Sequence, residues 1–150
     1  MKFSRTLFVM ALGTAAHCAF SAPLFAATAA AAAAPAAVNP LSVHVLNLQD
    51  GLPSADVAVT LEQRVGDQWT TLGEGVTNAQ GRIPALFPAG AVMARGTYRV
   101  IFKTGKWYAD HKGAAFFPEI PVIFTADGSV PHYHVPLLLS SYGYSTYRGN

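Results

Sequence analysis

Apolar and polar residues alternate along residues 41–150 with the period of a β-strand. Successive side chains of a strand face opposite sides of its sheet, so this alternation gives each strand one buried face and one polar face. Turn sequences such as Asp50-Gly51 and Asp127-Gly128 separate the apolar runs. The pattern predicts strands at residues 41–48, 57–64, 69–77, 82–83, 96–103, 119–124, 132–140 and 143–148.

Helical periodicity is weak throughout this part of the chain. Only residues 105–111, which are polar and aromatic, suit a short helix. About eight short strands at this spacing are typical of a sandwich of two packed sheets. We therefore predict an all-β fold, a two-sheet β-sandwich with one short helix.

The first 29 residues predict a secretory signal peptide. Lys2 and Arg5 form a charged start, residues 7–20 are mostly apolar, and Ala27-Thr28-Ala29 matches a cleavage site. The apolar run is shorter than the roughly 20 residues of a membrane span, although the following alanines would lengthen an uncleaved anchor. We expect export to the periplasm, with no attachment to the membrane after cleavage.

Residues 30–40 are rich in alanine and contain two prolines, a composition that predicts a linker. The remaining residues, 41–150, are numerous enough for one modest hydrophobic core. The predicted organisation is therefore a signal peptide at 1–29, a linker at 30–40 and a single folded domain at 41–150.

The charge balance changes when the predicted leader is set aside. Without Lys2 and Arg5, eight basic residues face eight acidic ones, so the domain has no excess positive charge and nucleic acid is not an expected partner. Cys18 is the one cysteine and belongs to the leader. A domain without cysteine has neither a disulfide nor a thiol nucleophile, and it depends on its core or on association with other subunits.

Histidines lie on the polar faces of two predicted strands. In the first strand the apolar positions alternate with His44, which therefore points away from the core. In the strand at 132–140, the face opposite the apolar set carries His132, His134, Pro136 and Leu138. This mixed face suits neither a core nor a water-exposed surface, and it indicates a pocket or an interface.

Each of these residues also has an ordinary interpretation. His132 and His134 have the spacing of some zinc ligands, but no cysteine or nearby acidic residue completes a site, so we predict neither a metal nor a cofactor. His44 alone would be a surface histidine, and Arg82 a solvated turn arginine. Chemistry becomes credible only if these residues converge in space.

Several short stretches combine histidine, arginine, tyrosine and proline in a specific order. They are Leu41-Ser42-Val43-His44-Val45-Leu46, Gly81-Arg82, Tyr98-Arg99-Val100, Phe116-Phe117-Pro118-Glu119-Ile120-Pro121, His132-Tyr133-His134-Val135-Pro136-Leu137-Leu138-Leu139-Ser140 and Tyr144-Ser145-Thr146-Tyr147-Arg148-Gly149. In these stretches the chain resembles the 5-hydroxyisourate hydrolases, the transthyretin-related proteins, over essentially all of residues 41–150. Hormone-carrying transthyretins lack both the histidine pair and the Tyr-Arg-Gly ending.

The resemblance implies a transthyretin-like sandwich and a homotetramer with active sites in a channel between dimers. It implies that His44, Arg82 and His134 are catalytic, and that His44, Arg82 and Tyr147 bind substrate. It leaves open which histidine is the principal base. The chain departs from the family in having Asn150 where serine is common, and Ser141 where many members have proline.

The implied activity is hydrolysis of 5-hydroxyisourate to 2-oxo-4-hydroxy-4-carboxy-5-ureidoimidazoline, a step of urate degradation. One alternative is a transthyretin-like protein that binds a small ligand without converting it. Another is an exported immunoglobulin-like adhesion or sugar-binding module. The strands would suit all three classes, whereas the off-core histidines favour the enzyme.

Overall fold

The computed structural model describes residues 38–150, and this part of the chain forms two sheets and one helix. The predicted signal peptide and most of the predicted linker lie outside the described residues and remain predictions. No helix within 38–150 has the length and apolar character needed to cross a membrane. The strands are β1 (Leu41–Asn47), β2 (Ala58–Val65), β3 (Gln68–Val76), β4 (Arg82–Ile83), β5 (Gly96–Phe102), β6 (Ile120–Ala126), β7 (Tyr133–Ser140) and β8 (Gly143–Thr146), and the helix is α1 (Thr104–Asp110).

The strands form two four-stranded sheets in the orders β4-β1-β7-β8 and β3-β2-β5-β6. Strands β1 and β7 pair in parallel, whereas the other neighbouring pairs are antiparallel. The predicted all-β sandwich with eight strands and one short helix is confirmed. Because β1 lies between β4 and β7, residues that are far apart in sequence become neighbours on one sheet.

The core lies between the inner faces of the two sheets. On β1 the side chains of Leu41, Val43 and Val45 are fully buried, and the residues between them are only partly covered. The same alternation buries Leu137 and Leu139 on β7. Each such side chain contributes about 1.5–3 kcal/mol when it is removed from water. Burial of one face therefore determines which side of the sheet His44 and His134 occupy.

Helix α1 connects β5 to β6 and is held by its aromatic residues. Trp107 and Tyr108 are buried, and the indole Nε1 of Trp107 donates to the carbonyl of Ala55 at 2.7 Å. The helix begins and ends one residue before the predicted bounds. Isolated helices of this length are unstable, so tertiary packing maintains it.

The last strand ends earlier than predicted, at Thr146 rather than at residue 148. Proline explains the difference. The pairings Leu137↔Thr146 and His134↔Gly149 share one register, in which Tyr147 lies opposite Pro136. Pro136 has no N–H to donate, and the hydroxyl of Thr146 occupies its carbonyl at 2.7 Å. The ladder is therefore interrupted at Tyr147 and resumes at Gly149.

Candidate active site

The register of the first sheet brings the polar residues of three strands together. His44 on β1 lies opposite Arg82 on β4 and opposite Pro136 on β7. Two residues earlier, Ser42 lies opposite His134. Directly opposite residues in a sheet point to the same face, so these side chains form one polar group outside the core.

A cavity of about 550 Å³ opens over this group. Its lining residues are Ser42, His44, Arg82, His132, His134, Tyr147, Arg148, Gly149 and Asn150. The structure thus brings His44, Arg82, His134 and Tyr147 to one cavity, as the sequence predicted for a site, although their roles remain predictions. Its size is in the range of small-molecule sites. Among these described lining residues there is no Asp or Glu, so the cavity suits a neutral or anionic polar ligand.

His44 and His134 face each other across the cavity floor, with ring centroids 6.5 Å apart and planes inclined by 27°. The Nε2 atom of His44 is buried and has no hydrogen-bond partner within residues 38–150. A buried polar atom without a partner is uncommon and costs stability. It is available to a water molecule or to a bound ligand.

Both imidazoles favour their neutral form. Partial burial lowers the pKa of His44 below its usual value, the positive charge of Arg82 lowers it further, and the main chain of Gln80 opposes these effects in part. The pKa of His134 is lowered by partial burial, then by Arg82, His44 and His132, against a smaller effect of the Ser42 main chain. At neutral pH the two side chains are therefore uncharged proton acceptors.

Arg82 is held by its turn rather than by a charged partner. Its main-chain N–H donates to the side-chain oxygen of Asn78 at 3.0 Å, and its carbonyl accepts from the N–H of Asn78 at 2.9 Å. Its side chain is exposed and forms no ion pair within residues 38–150. The guanidinium is therefore available to a ligand.

Gly81 explains why the Gly-Arg sequence occurs at this turn. Its φ of +67° lies in the left-handed region, and a Cβ there would overlap the carbonyl oxygen of Val45. The Gly81 carbonyl in turn accepts the N–H of Val45 at 2.8 Å. Any other residue would push the turn away from β1 and move Arg82 relative to His44.

The C-terminal segment, residues 147–150, runs alongside β7 and pairs with it again at Gly149. The N–H of Gly149 donates to the carbonyl of His134 at 2.9 Å. A Cβ at residue 149 would overlap the His134 ring and approach within 3.2 Å of Pro136 Cγ. Gly149 thus lies flat against the imidazole and, with its neighbours, covers Pro136, which is buried. Sequence reasoning gave Gly149 no role of its own, although its position in the Tyr-Arg-Gly ending was a usable signal.

Ser42 and His132 also lie at the site, and neither was assigned a catalytic or binding role from the sequence. The hydroxyl oxygen of Ser42 is 2.8 Å from His132 Nε2 and 2.8 Å from His134 Nδ1. The two histidines with zinc-like spacing are therefore joined through a serine. Within the described residues, no group of three or more His, Cys, Asp or Glu side chains could hold a metal ion.

Comparison with known proteins identifies the family. Residues 41–149 match the model of the HIUase/Transthyretin family. A 5-hydroxyisourate hydrolase of Salmonella typhimurium is 56% identical over 110 residues, which cover 73% of this chain and 80% of that protein.

Two solved structures show the same fold. The Klebsiella pneumoniae 5-hydroxyisourate hydrolase is 39% identical with a TM-score of 0.64, over 73% of this chain and 98% of that one. Sea bream transthyretin in complex with thyroxine is 33% identical with a TM-score of 0.68, over 73% of this chain and 94% of that one. The chain belongs to the HIUase/Transthyretin family, and its transthyretin-like fold is confirmed.

Proposed function

We propose that this member of the HIUase/Transthyretin family hydrolyses 5-hydroxyisourate to 2-oxo-4-hydroxy-4-carboxy-5-ureidoimidazoline in urate degradation. Relatives named 5-hydroxyisourate hydrolase, at up to 56% identity over most of the domain, support this activity. The observation that carries the proposal is the convergence of the neutral imidazoles of His44 and His134 and the unpaired guanidinium of Arg82 on a single cavity.

The reaction begins with attack of water on a ring carbonyl carbon, and a general base must accept a proton from that water. Neutral His44 and His134 are suited to this role, because burial and Arg82 keep their pKa values below the usual 6.5. Negative charge then develops on the carbonyl oxygen. Breaking the ring C–N bond requires that a proton be returned to the leaving nitrogen, which the resulting imidazolium supplies.

Arg82 is placed to stabilise the developing oxyanion. Its charge is permanent, and its planar fork of N–H donors suits the carbonyl and amide groups of the substrate ring. Removing one donor of this kind from an enzyme typically reduces kcat by about 100- to 1,000-fold. The same positive charge disfavours the imidazolium form of both histidines, so Arg82 serves binding and proton transfer together.

Tyr147 forms a wall of the cavity and binds substrate in this proposal. Its side chain is 58% exposed, and it lies where the β7–β8 ladder is interrupted, so its position depends on the C-terminal segment. A phenol can donate or accept a hydrogen bond and offers an aromatic face to a planar ring.

The competing function is ligand binding without turnover, as in sea bream transthyretin with bound thyroxine. The cavity lining of three imidazoles and two guanidiniums favours proton transfer over storage of an apolar ligand. The deciding experiment mixes purified residues 30–150 with freshly generated 5-hydroxyisourate and follows its ultraviolet absorbance. Decay faster than the spontaneous rate supports the enzyme, and decay at the spontaneous rate would contradict it.

A homotetramer is part of the same proposal. Strands β6 and β8 are edge strands, one in each sheet. They border a common cavity of about 230 Å³. Ile123 on β6 is 60% exposed and Tyr144 on β8 is 41% exposed. Unpaired edges with apolar side chains favour pairing with a second copy. Light scattering at micromolar concentration should give four times the mass of one chain, and a stable monomer would contradict this assembly.

Export to the periplasm completes the proposal and is supported by the charged start, the apolar run and the Ala-Thr-Ala sequence. Fractionation of the producing cells, with mass spectrometry of the purified protein, should find a chain that begins near residue 30 in the periplasmic fraction. A full-length chain in the membrane fraction would instead indicate an uncleaved anchor.

A further inference from the structure

We infer that His132 and Ser42 are positioning residues that hold His134 in the one neutral tautomer whose Nε2 is free to accept a proton. This inference rests on the proposed hydrolase function and deepens it, because it distinguishes the two candidate bases. The observation behind it is a continuous hydrogen-bonded chain, which runs from the carbonyl of Asn39 through His132 and Ser42 to His134.

The order of donors and acceptors along these hydrogen bonds is determined at Asn39. The Nδ1 atom of His132 lies 2.5 Å from the main-chain oxygen of Asn39. A carbonyl oxygen only accepts hydrogen bonds, so His132 Nδ1 must carry the proton. When the His132 imidazole is uncharged it has one N–H, so its Nε2 atom is then an acceptor.

Ser42 determines which atom donates in the next hydrogen bond. Its oxygen lies 2.8 Å from His132 Nε2 and 2.8 Å from His134 Nδ1. The hydroxyl has a single proton, and it must donate that proton to the acceptor on His132. The serine oxygen then accepts from His134, so Nδ1 of His134 is the protonated nitrogen.

The catalytic nitrogen follows by elimination. With Nδ1 protonated, neutral His134 has its lone pair on Nε2. Within residues 38–150 this atom has no hydrogen-bond partner, and unlike Nε2 of His44 it is not sealed from solvent. Gly149 lies against the Cγ–Cδ2 edge of the ring, next to Nε2. Gly149 and the chain from Ser42 together fix the orientation and the tautomer of His134.

His44 lacks an equivalent chain. Its Nε2 is buried and unpartnered, and its ring bonds to the main chain of Gln80 rather than to a side chain of the described residues. Because the accessible free nitrogen is that of His134, the geometry assigns proton abstraction to His134 and leaves His44 to contact substrate or water. A histidine base is oriented through its second nitrogen in many enzymes, usually by a carboxylate or a carbonyl. Here a serine and a second histidine do the same without adding negative charge.

Two pairs of variants test the chain by activity. Ser42→Ala removes the relay, whereas Ser42→Thr keeps a hydroxyl on the same strand face. His132→Gln places an acceptor oxygen near the position of Nε2, whereas His132→Asn is too short to reach Ser42. We expect kcat to fall on the order of 10- to 100-fold in Ser42→Ala and His132→Asn, with little change in KM. Ser42→Thr and His132→Gln should retain most of the rate.

Ser140→Ala is the matched control, since Ser140 is a half-buried serine of the same sheet that bonds the Gly143 carbonyl away from the cavity. Its kcat should equal that of the unaltered protein. Circular dichroism and sedimentation should show that all five variants keep the fold. Equal losses in both members of each pair, or full kcat in Ser42→Ala, would overturn the inference.

A second measurement reads the tautomer directly and does not require activity. Nitrogen-15 NMR at neutral pH distinguishes a protonated from an unprotonated ring nitrogen. We expect Nδ1–H tautomers for both His132 and His134, and loss of the Nδ1–H preference of His134 in Ser42→Ala. A proton on Nε2 of His134 in the unaltered protein would overturn the inference. If the protein fails to convert 5-hydroxyisourate but shows these tautomers, the proposed function fails and the hydrogen-bonded chain stands.

Discussion

The two faces of the sheet β4-β1-β7-β8 obey different rules, although they are built from the same strands. On the inner face, Val43 and Leu137 are buried by apolar neighbours, and stability depends on the volume that they fill. On the outer face, Ser42 and His134 depend on the direction of their hydrogen bonds, and the Nε2 atom of His44 has no partner within residues 38–150. Changes to the inner face should therefore cost stability, whereas changes to the outer face should cost rate.

The sharpest form of this contrast is the substitution His134→Asn on the outer face. We expect kcat to fall by about 100- to 10,000-fold, since a positioned general base contributes on this scale. Because the side chain lies outside the core, the midpoint of urea unfolding should change little. Ultraviolet assays with 5-hydroxyisourate and urea titrations measure both effects, and a variant that unfolds but keeps its rate when folded would invert the comparison.

Leu137→Ala, three residues along the same strand, is the inner-face counterpart. The side chain is fully buried, and its truncation should lower the free energy of unfolding by about 2–5 kcal/mol. At low temperature, where the variant remains folded, kcat should stay close to that of the unaltered protein. A large loss of rate in the folded variant would show that the outer face depends on core packing more than we expect.

Deletion of residues 147–150 tests the cover of the outer face. The apolar faces of β1 and β7 do not depend on these residues, so the sandwich should remain folded. Loss of the Tyr147 wall misplaces the substrate, which should cost on the order of 100-fold in rate. Circular dichroism and sedimentation provide the structural control. An intact tetramer with full turnover would mean that this segment has no part in catalysis.

Two milder changes separate the contributions of the segment. Tyr147→Phe removes only a hydroxyl, and the loss of rate should be smaller than that of the deletion. Gly149→Ala retains the tyrosine but places a methyl group against the His134 ring, which should reduce kcat by displacing the imidazole. If only Tyr147→Phe lowers the rate, the segment acts by contacting substrate alone.

The reaction rate should depend on pH through the two histidines of the outer face. The pKa values of His44 and His134 are lowered from 6.5 in the folded protein, so the rate should be constant at neutral pH and fall only as the pH drops below 6.5. Replacing Arg82 by Gln removes the charge that lowers both pKa values, and the acid limb of kcat/KM should move to higher pH. An unchanged acid limb would show that Arg82 does not lower these pKa values.

The same shifts predict a change in stability. Below pH 6.5 the unfolded histidines bind protons that the folded ones still exclude, so the free energy of unfolding decreases as the pH falls. The decrease ends below the folded-state pKa values, and above pH 6.5 the contribution is complete. Urea titrations between about pH 4.5 and 8 should show this slope, and His134→Asn should reduce it.

The smallest expected effect is that of chelators. His132 and His134 are joined through Ser42, and in the described part of the chain no group of three or more His, Cys, Asp or Glu side chains could hold a metal ion. Activity should therefore survive EDTA without change. Loss of activity that zinc restores would show that the outer face is a metal site, and it would replace the hydrogen-bonded chain in our account.

The strand pattern was predictable because burial of one face imposes a period of two on the residues. The first strand was expected at 41–48 and is found at Leu41–Asn47, and the short strand at 82–83 was predicted without error. The end of β8 was missed because it depends on Pro136, which belongs to another strand. The sequence near the end of β8 does not show where its hydrogen bonds to β7 stop.

The candidate site residues followed from the family resemblance, and the alternation placed His44 and His134 off the core. Their convergence with Arg82 depends on the β4-β1-β7 order, which no local pattern encodes. Ser42 is an unremarkable polar residue in its own strand. It becomes part of a proton-directing chain only because parallel pairing places it opposite His134, 92 residues away.

The chain alone specified the strands, their buried faces, the absence of cysteine from the domain and the chemical groups available for a reaction. Those properties depend on residues that are close together in the sequence and on the two-residue period of a strand. Pairing between distant strands specified which nitrogen of His134 is free, why Gly149 must be glycine and where Arg82 meets the histidines. These depend on distances of a few ångströms between residues far apart in the chain, because hydrogen bonds and steric overlap act only at contact.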